Sequence, residues 1–85
     1  MIAARLIDAV ELALTGDWRA AHLIAQEDEE DERANWLHGI CHRMEGDLAN
    51  ARYWYGRCGR EWRDDMEVRA ELRALRDALG AHDRG

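Results

Sequence analysis

The chain contains no proline, phenylalanine, serine or lysine, and all twelve of its basic residues are arginine. Without serine or lysine there is no serine nucleophile, no Schiff-base lysine and no phosphate-binding loop ending in Gly-Lys-Ser/Thr. The exclusive use of arginine is read as genomic base composition rather than as selection for bidentate anion recognition. Long apolar runs are also missing. A membrane span needs about 20 apolar residues, and the apolar start from Met1 to Leu14 is broken by Arg5, Asp8 and Glu11. Neither a span nor a secretory signal is expected, which places the protein in the cytoplasm with no membrane partner. Cys41 and Cys58 are the only cysteines, and without export they are expected as reduced thiols or small buried hydrophobes. A net charge of −6 argues against a nucleic-acid partner.

What is present is helical. Eighty-five residues allow one domain with a small core, so self-association that covers an apolar face is expected. Ile2, Leu6, Ala9, Val10 and Ala13 recur at three and four residues, which predicts a first helix over Ile2 to Leu14. Thr15-Gly16-Asp17 stops it: glycine closes a helix in the left-handed conformation, and aspartate caps the next one. The second helix runs from Trp18 to about Gln26 with Trp18, Ala21, Ile24 and Ala25 inward. Glu27 to Glu32 is an unbroken acidic run, read as a solvated connection whose end favours the start of a helix.

The third helix is expected over Ala34 to Glu45, with Leu37, Ile40, Cys41 and Met44 on its buried stripe. Gly46-Asp47 repeats the stop-and-cap chemistry. A fourth helix from Leu48 to about Arg57 is expected to turn Leu48, Ala51, Tyr55 and Cys58 to one side and Asn50, Tyr53 and Arg57 to the other. Val68, Leu72, Leu75 and Leu79 then predict a last helix from about Glu61 to Leu79, ended by Gly80. Its remaining faces are expected to carry the pairs Asp65/Arg69, Glu71/Leu75 and Arg73/Asp77. Domain organisation is therefore a single helical domain over 1–80, made of hairpins 1–27 and 34–59 and a capping helix 61–80, with 81–85 as a frayed tail.

Gly46-Asp47 follows Gly16-Asp17 by thirty residues, superposing GDLANAR on GDWRAAH. The second copy resembles a tetratricopeptide repeat: Gly39 stands at its small residue for close packing, Gly46-Asp47 at its turn, Ala51 at its second small residue and Tyr55 at its aromatic. The first copy keeps Gly16-Asp17 and Ala21, but has Ala9 and Ala25 where the pattern has glycine and an aromatic. The closing proline is absent. The segments WLHGICHRMEGD and NARYWYGR are also similar to small bacterial proteins of unassigned activity. The resemblance implies an all-α fold of about five antiparallel helices, two tetratricopeptide-like hairpins plus a C-terminal capping helix, that binds a protein partner of unknown identity. Two units are short of the three that a self-sufficient stack requires.

Three constellations bear on chemistry. His38 and His42 lie four apart on the third helix with Glu45 three further on, and imidazoles at that spacing can share one metal, with Glu45 or His22 as a third ligand. The competing reading is a histidine pair hydrogen-bonded at a helix interface. Cys41, three residues from His38, permits a thiolate-imidazole pair, against the default of a buried inert thiol. Arg52 to Arg63 reads RYWYGRCGREWR, a basic-aromatic mixture that in other settings stacks on nucleic-acid bases. Here Trp54, Tyr55 and Trp62 are expected to fill the core while the arginines pair locally. Asp47 is explained as a cap, whereas Asn50 is expected to bond His42 or a ligand. The primary expectation is a protein-interaction or assembly module without enzyme activity or cofactor, presenting His22, His38, His42, Asn50, Tyr53 and Arg57. The alternative is a small metal- or ligand-binding protein, an enzyme among its forms, centred on His38, His42 and Glu45 and holding zinc or another divalent transition metal on His22, His38, His42 and Glu45.

Overall fold

Two Gly-Asp turns set the frame of the computed structural model, which describes residues 2–84, with side chains described for 3–80. Helix α1 (Ile2–Leu14) passes into α2 (Trp18–Ala25) at Gly16-Asp17, and α3 (Glu32–Glu45) into α4 (Leu48–Arg57) at Gly46-Asp47. Both glycines take left-handed backbone, φ 96° at Gly16 and 91° at Gly46. Any other L-residue would bear about 1–2 kcal/mol there. Each aspartate then accepts a hydrogen bond from the backbone N–H three residues on, Asp17 from Ala20 and Asp47 from Asn50, both at 3.2 Å. The helices are thus stopped and restarted by the same local chemistry at both places.

Helix α3 is the centre of the molecule. It packs against α1, α2, α4 and α5, while α2 and α4 flank it without approaching each other. Being surrounded, it is buried on all sides from Ala34 to Cys41, a wider burial than the Leu37/Ile40/Cys41/Met44 stripe expected from spacing, with Met44 only half-buried. Gly39 permits the approach of α4: a Cβ there would stand 2.6 Å from Cδ1 of Tyr55. Leu48, expected inward, is 51% exposed in the first turn of α4. The remaining core is supplied by Leu6 and Val10 of α1, Ala21 and Ala25 of α2, Tyr55 of α4 and Leu72, Leu75 and Leu79 of the last helix.

The last helix, α5 (Val68–Arg84), begins later and ends later than its apolar spacing predicts. Residues 61–67 are not helical. There Trp62 donates from Nε1 to Asp64 at 2.7 Å and packs against the guanidiniums of Arg43 and Arg52, 4.7 and 4.8 Å from its ring centre. Arg43 also donates to the carbonyls of Arg63 and Met66, fixing the segment as a loop. Gly80 does not end the helix; it keeps negative φ, and α5 runs through it to Arg84. A lone glycine inside a helix is tolerated at about 1 kcal/mol. The segment 81–84, expected as a frayed tail, therefore continues the helix in its backbone, and Gly85 lies outside the described residues.

Helix α5 lies on α1 and α3 and has no backbone approach to α2 or α4. One buried carboxylate fastens it. Glu71, expected on an outer face beside Leu75, is only 5% exposed. It accepts from Trp36 Nε1 of α3 at 2.9 Å and from the Tyr55 hydroxyl of α4 at 2.6 Å. Burial and this bond push the Tyr55 hydroxyl well above its ordinary range. On the α1 side, Arg69 donates to the Leu14 carbonyl at 2.7 Å, an orphan acceptor at a helix end, and Arg76 pairs with Glu11 at 2.9 Å. The structure is all-α, with five helices and no strand among the described residues, and no described helix is long and apolar enough to cross a membrane.

Candidate metal centre

The acidic run between α2 and α3 is a shaped connection rather than a loose one. Asp28 accepts from Glu30 N, Asp31 caps α3 through Arg33 N and Ala34 N, and the buried Asn35 side chain donates to the Glu29 carbonyl. Glu27 pairs with Arg5 of α1 through two bonds of 2.6 Å. This short connection lays α2 against α3 with His22 opposite His38 and His42.

The three imidazoles converge. His22 Nε2 and His38 Nε2 are 2.9 Å apart, and His42 completes a group whose ligand atoms all lie within 4.8 Å of one another. Their ring centres stand 4.4 Å (His22–His38) and 5.0 Å (both pairs with His42) apart. His38 is 5% exposed and stacks face to face on Trp54 of α4 at 3.9 Å, whereas His22 and His42 are half-buried. Glu45, from the last turn of α3, takes His42 Nδ1 at 2.6 Å, which leaves Nε2 of that ring as its free donor atom.

Burial keeps His38 and His22 neutral at pH 7. Burial, then the neighbouring imidazoles, lower the His38 pKa from 6.5 to about 4. Burial and the nearness of His42 also lower that of His22. At neutral pH both rings carry a lone pair, and the 2.9 Å contact is one N–H donated to one lone pair. Nδ1 of His38 is buried without a partner. Because a buried orphan lone pair is cheaper than an orphan N–H, the proton belongs on Nε2, with His38 donating to His22.

The donor set fits a divalent transition metal with small adjustments. Zinc binds imidazole nitrogen at about 2.0–2.1 Å, so three nitrogens in a tetrahedral array stand about 3.3 Å apart. The His22–His38 pair needs to open by a few tenths of an ångström and His42 to swing inward. Glu45 on His42 Nδ1 stands where an outer carboxylate would orient that ring if it held a metal. His38 is the poorer fit: loaded on Nε2, it carries its proton on Nδ1, where nothing accepts it. That orphan donor costs about 1–3 kcal/mol, or roughly ten- to a hundredfold in affinity.

The other sequence-predicted residues fall elsewhere. Asn50 bonds neither His42 nor open space; its Nδ2 donates to Asp47 Oδ2 at 2.7 Å, doubling the cap of α4. His38, expected on an interaction surface, is buried, while Asn50, Tyr53 and Arg57 are exposed. Arg57 donates to the Tyr53 hydroxyl and the Glu29 carbonyl, both at 3.3 Å, and covers Trp54 at 5.2 Å. Arg60 stacks on Trp36 at 3.5 Å, and Arg52 and Arg63 reach Asp64 and Asp65. The basic-aromatic stretch is thus engaged locally, although Trp62, expected in the core, is half-buried against it. Cys41 sits in the core, its thiol pushed up to about 12 by burial. Cys58, half-buried, donates its thiol to the Tyr55 carbonyl at 3.4 Å. Neither is an activated nucleophile.

Sequence reasoning missed two contacts. The Trp54 platform under His38 joins separate helices and leaves no mark in local spacing. Glu71 did leave one, standing three residues after Val68 and four before Leu75 on the buried stripe. No family model matches this chain, and neither a curated protein nor a solved structure matches it.

Proposed function

We propose that the protein binds a divalent transition metal, of which zinc is the reference case, on His22, His38 and His42. The observation that carries the reading is the meeting of His22 Nε2 and His38 Nε2 at 2.9 Å beside His42, from two helices, with Glu45 on the outer nitrogen of His42. Imidazole suits zinc, copper, nickel and iron, and the metal takes the place of the proton between His22 and His38, which moves to Nδ1 of His38. Calorimetric titration with zinc tests this. One site per chain is expected, abolished in His22→Ala and His38→Ala and weakened about 10–100-fold in Glu45→Gln. No uptake by the parent protein ends the reading.

A second reading, the interaction or assembly module, is favoured by the exposure of Leu23 (60%), Leu48 (51%) and Tyr53 (54%). Large apolar side chains at that exposure gain by being covered. Sedimentation of the metal-free protein checks it: self-association that Leu23→Glu or Leu48→Glu abolishes supports the module, and a monomer at all concentrations removes self-assembly.

A further inference from the structure

Three histidines make an incomplete set of ligands, and the donors around them are already committed. The Glu45 carboxylate holds His42 Nδ1 at 2.6 Å. Asp47 uses one oxygen to cap α4 and the other to accept from Asn50. Both acids group with His42, and neither groups with all three histidines. Cys41 adjoins His42 in sequence but is wholly buried in the apolar core and joins neither group. Among the described residues, then, no fourth side chain groups with the three histidines.

That count separates two kinds of site. Structural zinc sites are closed by four protein ligands, whereas sites with three keep one position for an exchangeable ligand. The surroundings say where that position opens. Trp54 closes the α4 side by stacking on His38, and the core closes the floor. His22 and His42 are half-buried and α2 and α4 do not approach each other, so the remaining side faces solvent. Three neutral imidazoles also leave the full charge of the ion uncompensated within its coordination sphere, which favours an anion over a neutral donor.

Resting on the metal reading above, we infer that the centre keeps a fourth, solvent-facing coordination position that takes water or a small monoanion in exchange for it. The site is therefore a ligand-exchanging centre and not a structural staple.

Cobalt(II) in place of zinc makes this visible, because its visible absorption reports coordination number and ligand exchange. The full chain is loaded with one equivalent of cobalt(II) and titrated with sodium azide, with sedimentation run in parallel. The expected result is a saturable change in the cobalt spectrum at one azide per metal, on a protein whose mass does not change with metal. A cobalt spectrum that ignores azide overturns the inference while leaving the metal reading intact. So does a doubling of mass on loading, since a second copy then supplies the fourth ligand. Failure to take up cobalt at all, with zinc equally refused, overturns both together.

Discussion

His38 carries more of the account than any other residue. Its ring is neutral at physiological pH because burial holds its pKa at about 4, below the 6.5 of an exposed imidazole. The sign of the resulting linkage follows. Above pH 6.5 neither the folded nor the unfolded chain binds this proton, and stability is fully present. Between 6.5 and about 4 the unfolded chain binds it and the folded chain does not, so stability is lost as pH falls, by up to about 3 kcal/mol. The urea midpoint of the metal-free protein is expected to fall over that window and to fall less in His38→Gln. Equal slopes in the two proteins contradict the assignment. Gly39, the next residue, is a second point of strict requirement. In Gly39→Ala the new Cβ meets the Tyr55 ring at 2.6 and 2.8 Å, and that ring is pinned through its hydroxyl by Glu71. A loss of about 1–3 kcal/mol in urea unfolding is expected.

At the scale of elements, the hairpins were readable, and the last helix was readable in its apolar stripe but not in its bounds. Gly16-Asp17 and Gly46-Asp47 act within four residues of chain, so sequence alone located α4 to the residue and α1 likewise. Residues 61–67 have the composition of a helix start. They form a loop because Trp62 packs against arginines from α3 and α4, an arrangement no local window contains. The candidate site divides the same way. His38 and His42 were paired by their spacing on one helix, but the third member, His22, is fixed by how the short acidic connection lays α2 on α3. Glu71 joins three elements and yields the clearest prediction at this scale. Glu71→Ala removes the acceptor of two buried donors, Trp36 Nε1 and the Tyr55 hydroxyl, and is expected to destabilise by about 3 kcal/mol. Chemical denaturation checks the size; a change below about 0.5 kcal/mol contradicts the role given to this tie.

For the molecule as a whole, the proposed metal reading implies a linkage: an ion shared by His22 of α2 and His38 and His42 of α3 would stabilise the folded chain in addition to exchanging its fourth ligand. On that reading the ion would prefer the folded chain, where the three rings meet, to the unfolded one. At free zinc a hundredfold above its dissociation constant, linkage adds about 2.7 kcal/mol. In a chain of this length that raises Tm by roughly 10 °C or more. Differential scanning calorimetry with zinc and with chelator checks it. The most direct test is NMR of the imidazole nitrogens while one equivalent of zinc is added. The account predicts that His22, His38 and His42 all shift together and reach their end points at one zinc per chain. A response confined to His42, or none, contradicts it, because the three rings then do not share one ion.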